Sequence, residues 1–424
     1  MDVRHCCPQW RGRLSRVAQW PRRTQWPALA AASLLGAALT SCVVLPRLDA
    51  VPEALTEQAT VPGIPDSRLW FDRDLTPFIQ VVTQDFARER ATREQQGLPL
   101  DPMPPINFLA ISGGGDNGAF AAGVLTGWSA NGTRPEFRVV TGVSAGALIA
   151  PFAYLGPAYD DLVQRVATSI GPGDVFLSRS RLAGLLSDGM ATSVPLRRLV
   201  EKYVTPELLA QIAKEYATGR ALQIATTDLD AGRQVTWNMG AIASSGAPGA
   251  LELFRKIMIA SMSIPGVVSP VMIDVEVAGK HYQEMHVDGG VIAQLFAYPS
   301  HAVAELERAT GKPWTRPLHV YVIRNGRLDP EWTDTPRRTL AIGKRAIDSL
   351  VQAQGVEDVL RTYRIAKRDN ADFNLAYIGS DFPDAKHPMF DTTYMKDLFD
   401  YGYRLAREGS LWHKSPPGEA EPKR

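Results

Sequence analysis

The chain has 424 residues, of which 45% are hydrophobic and 21% charged, a composition typical of a globular protein with a sizeable core and not of a disordered chain. Its formal net charge is +1, but six arginines and one aspartate precede Cys42, and the remainder has 40 basic and 44 acidic residues. This mildly acidic balance gives no electrostatic footprint for nucleic acid, and no basic patch for anionic lipid is visible in the sequence.

The N-terminal residues have the outline of a secretory signal. A basic stretch ends at Arg23, and an apolar run from Pro27 to Leu39 follows. That run has about 13 residues, short of the roughly 20 needed to span a bilayer, so a transmembrane anchor is the weaker interpretation. Leu39-Thr40-Ser41-Cys42 resembles the lipobox of bacterial lipoproteins, in which the cysteine is acylated and becomes the new N-terminus. We predict a lipoprotein signal peptide over residues 1–41 and lipidation of Cys42.

This resemblance also implies a location. Val43, and not an aspartate, follows Cys42, which in such lipoproteins favours the outer membrane. We expect a lipid-anchored protein of the bacterial cell envelope, in the outer membrane and facing the periplasm. The other two cysteines, Cys6 and Cys7, would leave with the signal, so the mature chain is expected to form no disulfide.

Composition divides the rest of the chain into three segments. Residues 42–105 are rich in proline and lack a long apolar period, which predicts a tether and an N-terminal wrapping segment. Over residues 106–330, short apolar runs alternate with helical stretches, which predicts an α/β domain built on a largely parallel sheet. Residues 331–424 predict a C-terminal helical extension that packs on this domain, with a polar, proline-rich tail from Ser415.

The hydrophobic pattern predicts the secondary structure in chain order. The predicted strands are Ile106–Ile111, Phe137–Thr141, Leu222–Thr227, Gln234–Asn238, His281–Val287 and Leu318–Ile323. The predicted helices are Pro77–Arg93, Gly118–Trp128, Ala145–Tyr154, Pro195–Val204, Pro206–Tyr216, Ala250–Met262, Ser300–Thr310, Arg337–Lys367 and Thr393–Arg407.

The first motif is the glycine-rich run from Ser112 to Gly118, between a predicted strand and a predicted helix. Glycines at such a turn let the backbone approach a ligand closely, and the free amides at the start of a helix can bind a phosphate or an oxyanion. The run also matches the Gly-x-Gly-x-x-Gly string of dinucleotide-binding proteins, but no acidic residue ends a second strand about 20 residues further on. The dinucleotide interpretation is therefore weak.

The second motif, Gly142-Val143-Ser144-Ala145-Gly146, also lies between a predicted strand and an apolar helix. This is the context of a nucleophile elbow, in which small residues on both sides relieve crowding in a strained turn that projects the serine hydroxyl outward. Gly115 and Ser144 are 29 residues apart, about one strand-helix-strand unit, so we expect the glycine loop and the elbow at the same edge of the sheet.

The third motif is Asp288-Gly289-Gly290, which follows the predicted strand His281–Val287. Taken alone, it is an ordinary turn sequence. Its position at the carboxyl end of a strand favours a functional interpretation, because sites in open α/β sheets form at those ends.

In this order, the three motifs resemble those of the patatin-like phospholipase family. The resemblance implies a patatin-like three-layer α/β/α fold with a largely parallel central sheet and a Ser-Asp catalytic dyad, placing the catalytic domain at residues 106–330. It implies Ser144 as nucleophile, Asp288 as base and the amides of Gly113, Gly114 and Gly115 as the oxyanion hole. The expected activity is that of a carboxylic-ester hydrolase of the phospholipase A or lysophospholipase type, acting on glycerophospholipid or another acyl ester without a cofactor or metal.

The sequence also departs from the family pattern. The family's loop usually begins with aspartate and has arginine or lysine before its last glycine, where this chain has Ser112 and Asn117. The missing cation makes phospholipid a less secure substrate than acyl esters in general. By contrast, the stretch Ala260–Val271 is similar to the family's segment between the nucleophile and the aspartate.

Two other functions remain open at this point. An α/β-hydrolase with a Ser-Asp-His triad would recruit His301, His319 or His387. A lipoprotein that keeps the fold as a non-catalytic lipid-binding module would explain Ser112 and Asn117. Two smaller hypotheses concern His286, which shares a strand face with Asp288, and the stretch Val175–Leu186, which is either a lid over an acyl groove or an ordinary amphipathic helix.

Overall fold

The computed structural model describes residues 45–175, 177–178, 187–383 and 387–419. The pattern of contacts separates Met1–Val44 from Leu45–Arg424, and every described residue belongs to the second unit. That unit has an extensive hydrophobic core of its own. The predicted signal peptide, Cys42 and most of Val175–Leu186 lie outside the described residues.

Within the described residues, a nine-stranded sheet forms the centre of the fold. Its strands are β1 (Arg68–Leu69), β2 (Ile106–Ile111), β3 (Val139–Val143), β6 (Ala221–Asp228), β7 (Arg233–Asn238), β9 (Val271–Val277), β10 (Lys280–Asp288), β11 (Leu318–Arg324) and β12 (Asp372–Tyr377). The strands β6, β3, β2, β11 and β12 are neighbours in that order and parallel. A smaller sheet contains β4 (Leu177–Ser178), β5 (Gly189–Thr192) and β8 (Gly266–Val268).

Helices connect the strands. They are α1 (Thr76–Gln95), α2 (Gly118–Asn131), α3 (Ala145–Leu155), α4 (Asp160–Ser169), α5 (Pro172–Val175), α6 (Val194–Tyr203), α7 (Pro206–Ala217), α8 (Met239–Ser244), α9 (Ala250–Ser261), α10 (Ala302–Thr310), α11 (Thr339–Arg368) and α12 (Thr392–Glu408). Successive residues of a strand point to opposite faces, and β2 shows this directly, since Leu109 and Ile111 belong to one hydrophobic cluster and Ala110 to another.

The two clusters define two helical layers. The cluster that contains Leu109 also holds side chains of α2, α3, α9 and α12, whereas the cluster of Ala110 holds side chains of α1, α10 and the C-terminal half of α11. The central strands are therefore buried on both faces, as their near-continuous apolar sequences require. The predicted three-layer α/β/α fold with a largely parallel sheet is confirmed.

The strand that ends at Asp288 runs against its neighbours. The sequence argument treated this position as the carboxyl end of a strand in a parallel sheet, but β10 is antiparallel to β6 and to β9. Strand β10 runs along β6 in the opposite direction and ends where β3 ends. Val143, the last residue of β3, pairs with Ala225 of β6, and Asp288, the last residue of β10, pairs with the next residue, Thr226. The last residues of β3 and β10 therefore meet end to end.

The C-terminal segment is more than a helical extension. Its strand β12, which the sequence analysis missed, adds to the central sheet beside β11, although the alternation of Phe373, Leu375 and Tyr377 is a strand signal. Helix α12 packs tightly on α2, where a Cβ at Gly123 would lie 2.1 Å from the Phe399 carbonyl oxygen and one at Gly127 2.2 Å from that of Tyr403. Strand β12, helix α12 and the C-terminal half of α11 thus complete the core.

Candidate active site

Ser144 lies at the turn between β3 and α3 in a backbone conformation that side chains rarely adopt. Its φ is 53° and its ψ −122°. Such a conformation is costly and persists only where the surroundings enforce it. They do so here, because a Cβ at Gly142 would lie 2.6 Å from the Gly146 carbonyl oxygen, and one at Gly146 would lie 2.3 Å from that of Ile111. The elbow requires both glycines.

A second serine, Ser261, holds this turn through hydrogen bonds. The Ser144 amide donates to Ser261 Oγ at 3.0 Å, and the Ser261 hydroxyl donates to the Ala225 carbonyl at 2.7 Å. Two residues later, the Ser263 carbonyl accepts from the Asp288 amide at 3.0 Å. The stretch Ala260–Val271 therefore bonds with the backbone amides of both Ser144 and Asp288 and holds the two residues next to each other. This gives a physical reason for its similarity to the family.

Ser144 and Asp288 are neighbours. The Ser144 hydroxyl interacts with the Asp288 carboxylate and acts to lower its pKa, and the Gly290 amide donates to Asp288 Oδ1 at 2.8 Å. Both side chains are buried, with exposed fractions of 8% for Ser144 and 6% for Asp288. The glycines after the aspartate are also needed, since a Cβ at Gly289 would lie 2.6 Å from the Ala225 carbonyl oxygen.

Burial raises the pKa of Asp288 to about 6, while the hydrogen bonds from Ser144 and Gly290 oppose that shift. No cation pairs with Asp288 in the part of the chain that the structure describes. A carboxylate with a pKa just below neutrality is ionised at pH 7 and yet basic enough to take a proton from a hydroxyl during reaction.

The glycine loop lies directly beside the serine, at the edge of the sheet that its spacing predicts. A Cβ at Gly113 would lie 3.1 Å from Ser144 Cβ. However, the Gly113 amide already donates to the Gln294 carbonyl at 2.9 Å, so it is not free to bind an oxyanion, contrary to the sequence interpretation. The amides of Gly114 and Gly115 have no acceptor among the described residues. Both have positive φ, 155° and 59°, which favours glycine.

Polar groups fix the opposite side of the loop. The Ser112 hydroxyl donates to the Gly113 carbonyl at 2.6 Å and accepts from the Asn325 amide at 2.8 Å. The Arg324 guanidinium, 3% exposed, has one nitrogen 3.4 Å from both Ser112 Oγ and the Gly113 carbonyl oxygen. Because the Gly113 carbonyl and the Gly114 amide form one peptide group, these donors increase the polarity of the Gly114 N–H.

An apolar cavity opens at Ser144. Its empty volume is about 770 Å³, including the part open to solvent. Besides Ser144 and Gly115, the lining is almost entirely aliphatic and includes Leu148, Ile149, Ile170, Leu196, Leu199, Ile264 and Val268. Met389, Phe390 and Met395 line it from the segment that leads into α12. This lining matches an acyl chain.

The position where the family usually has a cation is occupied by a neutral contact. Asn117 Oδ1 accepts from the Tyr394 hydroxyl at 2.7 Å, and Asp116 Oδ2 accepts from the Phe390 amide at 2.9 Å. Asn117 and Asp116 therefore attach the segment before α12 to the glycine loop and help to build the cavity wall.

One histidine of the triad hypothesis, His387, reaches the glycine loop, where its Nδ1 lies 3.7 Å from Asp116 Oδ2. His319 bonds with Asn107 Oδ1 at 3.0 Å, near the amino end of β11, and His301 is the N-cap residue of α10, without a capping hydrogen bond from its side chain. His387 stacks on Tyr394, with ring centroids 3.5 Å apart. Among the described residues, none of these histidines bonds with Asp288.

His286 belongs to a separate buried cluster. Its ring bonds with Thr226 Oγ1 at 2.9 Å and with Glu284 Oε2 at 3.2 Å, and Arg68 donates to the same Glu284 oxygen. Asp228, Glu284 and His286 bring three possible metal-ligand atoms within 4.8 Å of one another, a set hidden by sequence distance. Arg68 pairs with Glu284, and burial raises the pKa of Asp228.

Several residues of the site lie outside the three motifs. Ser261, Arg324 and Gln294 act through hydrogen bonds to backbone atoms of the motifs, and Asp358 accepts the Gln294 amide at 2.6 Å. Arg324 is the last residue of β11, and Ser112 directly follows β2, the neighbouring parallel strand. The position of Arg324 at the carboxyl end of a parallel strand is therefore the sequence clue to its place in the site.

Comparison with protein families concerns the stretch in which this site lies. A patatin-like phospholipase family model matches residues 109–299, which include the glycine loop, the elbow and the Asp288 turn. Over this stretch the chain is similar to the patatin-like phospholipase family, and this similarity suggests lipid acyl hydrolase activity. No curated protein matches the chain.

Among solved structures, the crystal structure of VipD from Legionella pneumophila aligns with 72% of this chain and 67% of its own, at a TM-score of 0.33 and 13% sequence identity. At that level of similarity, the alignment adds no argument about function.

Proposed function

We propose that this protein is a serine acyl-ester hydrolase with Ser144 as nucleophile and Asp288 as base. The observation on which the proposal depends is that Ser144, which lines an apolar cavity, interacts with the buried carboxylate of Asp288. Nucleophile, base and acyl-binding wall then meet at one point, as acyl transfer requires.

The first half of the reaction forms an acyl-enzyme. Ser144 Oγ attacks the carbonyl carbon of the ester while the Asp288 carboxylate takes the hydroxyl proton. The oxyanion that develops lies against the amides of Gly114 and Gly115, which have no other acceptor in the described structure. When the carbon–oxygen bond to the alcohol breaks, Asp288 returns the proton to the departing alcohol oxygen.

The second half releases the acid. A water molecule attacks the acyl carbonyl carbon, and its proton passes to Asp288. Collapse of this second tetrahedral intermediate breaks the bond to Ser144 Oγ, which regains its proton from Asp288. The products are an alcohol and a carboxylic acid, and the chain's own side chains balance every proton.

Arg324 supplies the fixed positive charge that the loop lacks at Asn117. Although burial lowers the pKa of Arg324 to about 10, the group stays protonated at neutral pH. Its guanidinium and the Ser112 hydroxyl both face the Gly113 carbonyl, so they stabilise the oxyanion through the Gly113–Gly114 peptide. Arg324 is a positioning residue, because it does not line the cavity.

The cavity and the family together favour lipid esters as substrates. An aliphatic wall beside Ser144 suits a fatty acyl chain, and a cleft of this kind discriminates poorly among acyl chains that differ by one methylene. We propose glycerophospholipid, cleaved in the manner of a phospholipase A or lysophospholipase, as the substrate class.

We also propose a location in the cell envelope. The argument is the sequence before Val43: a basic stretch, a short apolar run and a lipobox-like tetrapeptide that ends at Cys42. Acylation at Cys42 would hold the enzyme at the outer membrane, facing the periplasm, and a tether of this kind raises the local concentration of enzyme at its lipid substrate.

The experiment that tests the function uses the chain from Leu45, which contains the whole described core. The parent, Ser144→Ala and Asp288→Asn would be assayed on a medium-chain nitrophenyl ester and on phospholipid vesicles. The proposal predicts activity of the parent on both substrates and loss of activity in both folded variants. Cleavage of the simple ester alone would restrict the substrate class, and no cleavage of either would favour a lipid-binding module.

A further inference from the structure

The two halves of helix α11 have different surroundings. From Gly355 onward, the helix packs against the sheet with Val359, Tyr363 and Ala366 buried. From Thr339 to Gln354, not one residue is buried, although the segment is strongly apolar. These 16 residues form a helical segment about 24 Å long that nothing described in the structure covers.

The exposed half has an apolar side of its own. Leu340, Ile347, Leu350 and Val351 recur at helical spacing and have exposed fractions of 89%, 62%, 70% and 38%. At about 100° per residue, this stripe lies on nearly the opposite side of the helix from the buried face of Val359 and Tyr363. It is therefore not a continuation of the surface that packs on the sheet.

The other side of the helix is polar, with Lys344, Arg345 and Asp348. The residues before the helix, around Trp332, add Arg337, Arg338, Glu331 and Asp334, so residues 331–354 have four cations and three carboxylates. Lys344 pairs with Asp348 at 2.6 Å. Trp332, 84% exposed, precedes the helix, and indole rings favour the boundary between water and lipid. This local excess of cations is not apparent from the net charge of the chain after residue 41, which is acidic.

This segment projects from the part of the fold that contains the active site. The Gln354 side chain donates to the Ile292 carbonyl at 2.6 Å, four residues after Asp288, and Val291 and Ile292 are themselves about 40% exposed. A Cβ at Gly355 would lie 2.4 Å from the Arg324 guanidinium. The base of the exposed half therefore touches the turns that build the site.

We propose that Thr339–Gln354, together with Trp332, is an interfacial helix that seats the active-site side of the protein on an anionic lipid surface. An apolar stripe opposite a cationic face is the pattern of helices that lie in the plane of a membrane. Among the described residues, no helix is long and apolar enough to cross a bilayer. Lipid binding by this segment is independent of the proposed hydrolysis, whereas its benefit to catalysis rests on that proposal.

The charges favour a lipid surface over a second copy of the chain. The segment is locally basic, whereas the chain after residue 41 has more acidic than basic residues. Two copies that paired through their apolar stripes would leave the cations, which lie on the other side of each helix or before it, without new partners. Anionic lipid headgroups neutralise these cations directly.

The test measures vesicle binding with the chain from Leu45 in which Ser144→Ala prevents hydrolysis. Co-sedimentation would use vesicles of phosphatidylglycerol and phosphatidylcholine, and of phosphatidylcholine alone. We expect binding to the anionic vesicles that weakens with salt, and a loss of about tenfold or more with Ile347→Glu and Leu350→Glu combined. Leu98→Glu is the matched control, since Leu98 is 43% exposed in the loop before β2.

Three outcomes would overturn the proposal: equal binding by the parent and the double variant, no binding by the parent, or a dimer in sedimentation velocity that only the double variant disrupts. In the Ser144-containing protein, the double variant should keep its activity on a soluble nitrophenyl ester and lose activity on anionic vesicles. Loss on both substrates would contradict a docking role. An inactive parent that still binds vesicles would refute the proposed hydrolysis alone.

Discussion

Strand β10 places three ionisable side chains on one buried face, and the two ends of that face differ in electrostatics. Glu284 and His286 belong to a paired cluster, in which Arg68 donates to Glu284. Although burial opposes it, the hydrogen bond from His286 and the charge of Arg68 hold the pKa of Glu284 below its usual range. Two residues beyond His286, burial raises the pKa of Asp288 to about 6.

The difference shows how a fold separates a structural acid from a reactive one. Both carboxylates are almost fully buried, so burial alone does not distinguish them. The distinction is that Glu284 has a cation and Asp288 has a hydroxyl, a backbone amide and an open cavity beside it. A buried carboxylate without a cation is costly to the fold, and that cost is typical of functional sites.

Replacing Asp288 by asparagine should have the largest effect and should act in opposite directions on activity and stability. We expect a loss in kcat of about a thousandfold or more, because the base is removed. The folded pKa of Asp288 lies above its unfolded value, so the carboxylate destabilises the fold progressively from about pH 4 to pH 6 and fully above that range. Asp288→Asn should therefore stabilise the protein at pH 7 by about 1 to 3 kcal/mol.

Urea unfolding at pH 7 and at pH 4, with ester kinetics, would test this prediction. The stability gain should shrink at pH 4, where the parent's carboxyl is protonated in the folded state and about half protonated in the unfolded state. A variant that is destabilised at both pH values would show that Asp288 is a structural acid like Glu284.

Removing the cation at the Glu284 end of this face should lower stability and leave activity nearly unchanged. Arg68→Met leaves Glu284 buried without its cation, and we expect about 3 to 5 kcal/mol lower unfolding free energy with little change in kcat of the folded enzyme. The double variant Arg68→Met with Glu284→Leu serves as the control and should recover much of the loss. If kcat falls in step with Arg68→Met while stability holds, the cluster has a role in the reaction.

Replacing Arg324 should have a smaller effect than these changes, and the effect should be on kcat and not on KM. Arg324→Gln removes the charge behind the Gly113–Gly114 peptide, and we expect kcat on a soluble ester to fall roughly tenfold to a hundredfold with KM nearly unchanged. Arg324→Lys should recover part of kcat, because the charge returns without the planar fork. A rise in KM with constant kcat, or no recovery with lysine, would contradict the oxyanion role.

Histidine substitutions should have the smallest effect. His301→Ala, His319→Gln and His387→Gln are each expected to change kcat less than twofold, since none of these side chains bonds with Asp288. Their pH profiles should keep the same acidic limb. A loss of a hundredfold or more in any one would restore the triad hypothesis.

Much of the fold could be predicted from local patterns. Strands such as Ile106–Ile111 and helices such as α3 follow from apolar periodicity and from the glycines at their ends. The antiparallel course of β10 could not be predicted, because strand direction depends on a connection through β9 whose short alternation was missed. Strand β12, at the end of the sheet beside β11, was missed for the same reason.

Within the candidate site, the sequence located the groups that lie in motifs and missed the groups that fix them. Ser144 and Asp288 are adjacent to glycines whose purpose can be read locally. The use of the Gly113 amide by Gln294, and the approach of Arg324 to the Gly113 carbonyl, join residues 181 and 211 positions apart. Contacts of that kind leave no periodic signal in one sequence.

The most direct test of the central claim is the pH dependence of labelling by a fluorophosphonate, followed by intact mass. We predict that Ser144 is the residue labelled, and that the inactivation rate rises with pH through an apparent pKa near 6. In Asp288→Asn, labelling should be slow, and its rate should no longer rise with pH through that apparent pKa. Labelling of another serine, or an unchanged pH profile in Asp288→Asn, would contradict a Ser144–Asp288 dyad.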